Sequence, residues 1–125
     1  MRKAVMVPKA APAGGHYSHA VIANGLVYVS GQVPRDPVSG QVPDSFADQV
    51  RLSLRNVQAV LHGVGLDLSD TVKITAYLTD MARFKEYNAI YGEFFPSEPP
   101  ARTTIGCQLV GVQIEIDCIA VQRGG

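Results

Sequence analysis

One apolar stripe constrains this chain more than anything else in it. Between Ser45 and Gly65, Phe46, Val50, Leu54, Val57, Leu61 and Val64 recur at helical spacing, while Asp48, Arg51, Arg55 and Gln58 stand apart from them. A helix that is apolar on one side must lie against another layer, and alternating β-rich runs on either side of this one supply a sheet. Ser45 with Asp48 three residues on resembles a capping box that opens the helix, and Gly65 is placed to end it.

The remaining elements follow from period and punctuation. Lys3 to Val7 reads as a first strand stopped by Pro8, and the Ala/Pro/Gly stretch after it, up to Gly15, reads as a loop. Ser18–Ala23 and Leu26–Ser30 flank Asn24-Gly25, a hairpin signal because a type I′ turn needs positive φ at both central positions. Gly31 to Pro43 is rich in turn residues and forms a long loop entered through Ser30-Gly31-Gln32. Val72–Leu78 alternates with period two. Asp80 then caps a second helix with Met81, Phe84, Tyr87 or Asn88, Tyr91, Phe94 and Phe95 on its apolar side, ended by Pro96.

The order β-β-β-α-β-α-β-β leaves two helices to cover one face of about six strands. In the last strand Val112, Ile114, Ile116 and Cys118 alternate with Gln113, Glu115 and Asp117, so the second face is mixed in character. Subunit association is the usual cover for such a face, and an oligomer with clefts between subunits is expected.

With 125 residues the chain has a single-domain length and buries about 65 to 70% of its unfolded surface, enough to fold without staples. Eleven basic and eleven acidic residues cancel, which removes any general pull toward nucleic acid or an anionic membrane. Cys107 and Cys118 lack metal-ligand spacing and read as reduced core residues rather than a disulfide or zinc pair. The apolar run at the N-terminus is cut by Pro8, and no later run approaches the ~20 residues of a membrane span, so a cytoplasmic location is expected.

The chemistry concentrates in Pro99–Ile105 and Val112–Asp117. Read as an antiparallel hairpin turning at Leu109-Val110, these runs place Thr104 opposite Glu115 and Arg102 opposite Asp117, a single polar patch. The planar fork of arginine suits a small carboxylate, a neighbouring Glu115 can activate water, and the Thr104 hydroxyl can donate or relay. An ordinary cross-strand ion pair on a solvated face explains the same spacing.

Gly15-His16-Tyr17-Ser18, Val29–Pro34, Asn88–Phe95, Pro100–Thr104 and Ile114-Glu115-Ile116, taken together, resemble the Rid family of reactive-intermediate enamine and imine deaminases. The resemblance spans nearly the whole chain, 1–125, as a single domain. It implies an α+β, chorismate-mutase-like fold, a mixed sheet of about six strands with two helices on one face, assembled as a homotrimer with sites at the subunit interfaces. It implies hydrolysis of 2-aminoacrylate or 2-iminopropionate to a 2-keto acid and ammonia, without metal or organic cofactor. Family roles fall on Arg102 for the substrate carboxylate, Glu115 for the attacking water, Tyr17 and Asn88 in lining the cleft, and Gly31 for a backbone contact.

Departures from the family pattern bear on substrate choice. Thr104 stands where many deaminating members have cysteine, His16 replaces a usual proline and His19 a usual glutamine, and the final hairpin is about two residues short. His16 and His19 are either exposed loop residues or groups that enter the cleft and alter selectivity. Three other functions compete: a non-catalytic binder of keto acids using Arg102, a deaminase of a larger amino acid such as an aminomuconate, and a ribonuclease. The neutral charge and the lack of a Lys/Arg run oppose the last.

Overall fold

The computed structural model describes Met1–Gly124. Its elements are β1 (Lys3–Val5), β2 (Ala20–Ala23), β3 (Leu26–Gln32), α1 (Phe46–Gly63), β4 (Thr71–Leu78), α2 (Phe84–Phe94), β5 (Ala101–Gly106) and β6 (Ile114–Val121). The strands form one sheet in the order β1-β2-β3-β6-β4-β5, all neighbours antiparallel except the parallel pair β4 and β5. Helix α2 links that pair as a β-α-β crossover, which a parallel pair requires.

Local chemistry explains most boundaries. Asn24 and Gly25 both have positive φ, 52° and 77°, as a two-residue turn between β2 and β3 demands. The Ser45 side chain accepts from the Asp48 N–H and opens α1. At the other end the Leu66 N–H returns to the Leu61 carbonyl. Asp80 caps a short 3₁₀ turn, Met81–Arg83, rather than α2 itself, which starts directly after it at Phe84.

Both helices pack on one face, as the stripe of α1 requires. Val50, Leu54, Val57, Val60 and Leu61 are fully buried there with Ile74, Leu78, Ile114 and Ile116 of the sheet. The α2 rings Phe84, Tyr87 and Tyr91 and the ring of Phe95 just beyond the helix form a contacting series with successive centroids 5.6, 5.9 and 4.6 Å apart. The other face carries Val21, Tyr28, Ile119, Lys73, Tyr77 and Glu115, the mixed surface anticipated from the alternation of β6.

The expected β5–β6 hairpin does not form. Strand β4 lies between the two, parallel to β5 and antiparallel to β6, and residues 107–113 span the gap. Strands two places apart are separated by about 9.5 Å, too far for a two-residue turn. Thr104 therefore pairs with Ala76, and Glu115 with Tyr77, so the two never face each other. Cys107 falls just beyond β5 and is half-buried, and only Cys118 belongs to the core; both are free thiols.

Among the described residues no helix is long and apolar enough to cross a membrane, and no cluster of His, Cys, Asp and Glu could hold a metal ion.

Candidate functional site

The register sorts the candidate residues onto the two faces of the sheet. Ala20, Val29, Cys118, Ile74 and Arg102 form one cross-strand row, four core residues ending in an arginine at the edge strand. Arg102 and Thr104 therefore project toward the helices. Glu115 and Asp117, in register with Tyr77 and Thr75, project from the open face. The single polar patch expected from the hairpin is thus two half-sites, because the inserted strand changes which residues share a face.

The first half-site is built from β5 and α2. The Arg102 guanidinium lies 4.5 Å from the ring centroid of Tyr91, 5.2 Å from Tyr87 and 5.7 Å from Phe84. Cation–π contacts of this kind contribute about 0.5 to 2 kcal/mol, and a side-chain hydrogen bond to the Tyr87 hydroxyl takes one of the guanidinium's donors. Arg102 makes no ion pair among the described residues. With Asn88, Gly92 and Pro100 it lines an open cleft of about 430 Å³. The buried Tyr91 hydroxyl, part of the same wall, has no hydrogen-bond partner.

The second half-site centres on a bulge. Val29 pairs with Cys118 and Gln32 with Ile116, so Ser30 and Gly31 together oppose Asp117. A Cβ at Gly31 would overlap the Glu115 carboxylate, so only glycine lets that carboxylate rest on the strand. Burial, and then the charge of Asp117, push the Glu115 carboxyl above the usual glutamate range. Asp117 is raised by burial and accepts a 2.9 Å hydrogen bond from Tyr77, whose own phenol is pushed up to about 12, chiefly by burial. Arg102 and Asp117, once expected to oppose each other, have different partners.

Tyr17 and Gly31 share a cleft of about 240 Å³ with Gln32 and Arg35. The Tyr17 hydroxyl accepts from the Gly14 N–H at 3.0 Å and so helps to shape the loop that carries it. His16 is exposed beside Tyr17 and Arg2. His19 is 4% exposed, with Nδ1 accepting from the Val7 N–H and Nε2 donating to the Ala11 carbonyl, both at 2.8 Å. A ring that accepts at Nδ1 must carry its proton at Nε2, so the neutral tautomer is fixed by its partners. His19 lines the same cleft, but both ring nitrogens are taken by backbone partners, so it clamps the segment leading to Tyr17.

Replacing His19 by alanine leaves two backbone groups unpaired and should lower unfolding stability by about 2 to 4 kcal/mol. Glutamine can accept and donate at the same two places and should cost less than about 1 kcal/mol. Urea denaturation of the two variants measures the difference.

Three polar residues of α1 that the apolar stripe left unassigned fix the loop after Gly31. Ser53 donates to the Gln32 carbonyl at 2.7 Å, Asn56 to the Val33 and Arg35 carbonyls at 2.9 Å each, and Gln49 to the Pro43 carbonyl at 2.8 Å. All three are buried. Their 49, 53, 56 spacing is itself a helical stripe, the one signal in the sequence that could have revealed them.

The family model described as endoribonuclease L-PSP matches residues 8–122. The chain belongs to this family, also known as the Rid family. A RutC family protein of Aquifex aeolicus is 38% identical over 122 residues, covering 94% of this chain and 98% of that one. The 2-iminobutanoate/2-iminopropanoate deaminase of Bos taurus is 38% identical over 125 residues, covering 98% of this chain and 91% of that one. Among solved structures, Escherichia coli TdcF with bound serine superposes with a TM-score of 0.91 at 35% identity, covering 97% of this chain and 99% of that one. The six-stranded mixed sheet with two helices on one face is thus the Rid fold.

Proposed function

We propose that this Rid-family chain, acting as one domain over 1–125, hydrolyses small 2-imino acids and their enamine tautomers to 2-keto acids and ammonia. The observation that carries this reading is Arg102: a guanidinium set against three rings, with no acidic partner among the described residues and with N–H donors beyond the one at Tyr87. A planar carboxylate is the ligand such a fork takes best. Serine, the amino acid held in the E. coli TdcF crystal structure, carries that group, and the bovine relative is named for imino-acid deamination.

The reaction needs a second half. Arg102 and Glu115 lie on opposite faces of one sheet, so one copy offers the carboxylate clamp and another the base. A homotrimer with three interfacial sites joins Arg102, Asn88 and Thr104 of one protomer to Tyr17, Gly31 and Glu115 of the next, and covers the mixed open face. Water adds to the imine carbon while Glu115 takes one of its protons. That proton then passes to nitrogen, the carbon–nitrogen bond breaks as the Glu115 carboxylate takes the second water proton from the carbinol hydroxyl, and keto acid and ammonia leave. No metal or organic cofactor enters this scheme, and a cytoplasmic location suits intermediates released by other enzymes.

Coupled assay tests the proposal. With 2-aminoacrylate generated in place by a serine dehydratase, the wild type should accelerate ammonia release and Arg102→Ala should not. Absence of acceleration by the intact wild-type assembly would shift the assignment to a keto-acid binder, the reading that Thr104 in place of a thiol favours. The family description includes endoribonuclease, but the neutral charge supplies no general counterion-release drive for RNA.

The pH dependence carries a sign. Glu115 acts as a carboxylate, so kcat/KM rises with pH through its carboxyl pKa, which burial and Asp117 set above the ordinary glutamate range. Asp117→Asn removes the like charge while an amide oxygen can still accept from Tyr77, so the acid limb of the kcat/KM profile should move to lower pH.

A further inference from the structure

Tyr87 is 0% exposed, yet its hydroxyl reaches the half-buried Thr104 Oγ1 at 2.8 Å. Two observations orient that bond, and a third holds it in place. The other side chain that hydrogen-bonds the Tyr87 hydroxyl, the Arg102 guanidinium, can only donate to it, and a buried phenol that only accepted would leave its proton unsatisfied. The guanidinium of Arg102, 5.2 Å from the ring centroid, favours negative charge on the phenol oxygen and so makes the O–H a better donor, against burial that pushes the phenol pKa up. Helix α2 and strand β5 fix both ends of the pair, because Tyr87 sits in the ring series between Phe84 and Tyr91. Tyr87 therefore donates, Thr104 accepts, and the Thr104 hydroxyl proton is left for an acceptor outside the pair.

Resting on the deaminase reading above, we propose that Tyr87 is a positioning residue: it fixes the Thr104 hydroxyl as a directed hydrogen-bond donor to the substrate nitrogen. Thr104 lies two residues along the strand from Arg102 on the same face, so it meets the substrate beyond the carboxylate that Arg102 holds. A protonated imine has no lone pair on nitrogen. Once water has added to the carbon, the nitrogen becomes an amine with a lone pair, and the Thr104 O–H can donate to it. The bond is made only after the ground state, so it acts on kcat and leaves KM nearly unchanged. A cysteine thiol at this position would be a weak donor; threonine with a buried tyrosine behind it is a different and more directional device.

Steady-state kinetics with dehydratase-generated 2-iminopropionate tests this. Tyr87→Phe keeps the ring under Arg102 and removes only the hydroxyl; kcat should fall about tenfold with KM within about twofold. Thr104→Val should lose a similar factor, Thr104→Ser should retain most of the activity, and the Tyr87→Phe/Thr104→Val double variant should be no slower than the slower single variant. Wild-type kcat in Tyr87→Phe, or losses that multiply in the double variant, would overturn the proposal while leaving the deaminase assignment intact. If Tyr87→Phe does not fold, Thr104→Val and Thr104→Ser decide from the strand side: equal kcat values for these two would overturn it. A wild type without turnover overturns both readings, since Thr104 then has no nitrogen to meet.

Discussion

Arg102→Ala should lower kcat/KM for 2-iminopropionate by about 200- to 20,000-fold, the largest single loss expected in this protein. A bidentate pair between guanidinium and carboxylate comprises two charge-assisted hydrogen bonds, each contributing roughly 1.5 to 3 kcal/mol, and the alanine variant removes both. Lysine is not a substitute. Its point charge cannot spread over the Tyr91, Tyr87 and Phe84 rings as the planar group does, nor present two parallel donors, so Arg102→Lys should recover no more than about a tenth of wild-type kcat/KM. Ammonia release at equal protomer concentration measures both variants. A drop smaller than about tenfold in Arg102→Ala would show that substrate is held elsewhere. Because Arg102 ends a core row and lies on three rings, the assay needs a folding control, and the melting temperature provides it.

Glu115→Gln should separate activity from stability in opposite directions. If Glu115 receives the proton of the attacking water, the amide should lower kcat by about 100- to 1,000-fold with KM changed less than threefold. The same substitution should raise the melting temperature slightly at pH 7. Burial and the nearby Asp117 raise the Glu115 carboxyl in the folded chain above its unfolded value, so the folded state binds the proton more tightly. Ionised Glu115 therefore weakens folding as pH rises through the unfolded value toward the folded one, and a permanently neutral side chain avoids that loss. Glutamine also matches glutamate in size where the side chain rests on Gly31. Thermal melting of the two proteins at pH 5 and pH 8 checks the sign, since the difference should be larger at pH 8.

Much of the architecture was legible because it is locally encoded. The stripe from Phe46 to Leu61 required a one-faced helix, Asn24-Gly25 required a tight turn, and the alternation through β6 required one buried and one mixed face. The identities of the candidate residues were legible too, since Arg102 and Glu115 have side-chain chemistries that few other residues can supply. The place of His19 was not: its substitution for a usual glutamine left both an exposed loop residue and a group in the cleft open to spacing arguments, and the chain buries it with both ring nitrogens on backbone partners eight and twelve residues away.

Sequence alone determined the order of elements and their periodicity, because each depends on residues within a turn or two of one another. Tertiary structure decided which strands became neighbours. The short segment between β5 and β6 favoured a hairpin on local grounds, but pairing is a long-range choice, and burying α2 as a crossover put β4 beside β5 and left β6 on the far side of β4. That insertion moved Arg102 and Glu115 to opposite faces and set Tyr87 behind Thr104. None of these placements follows from spacing along the chain, because strand pairing is set by the burial of the whole sheet.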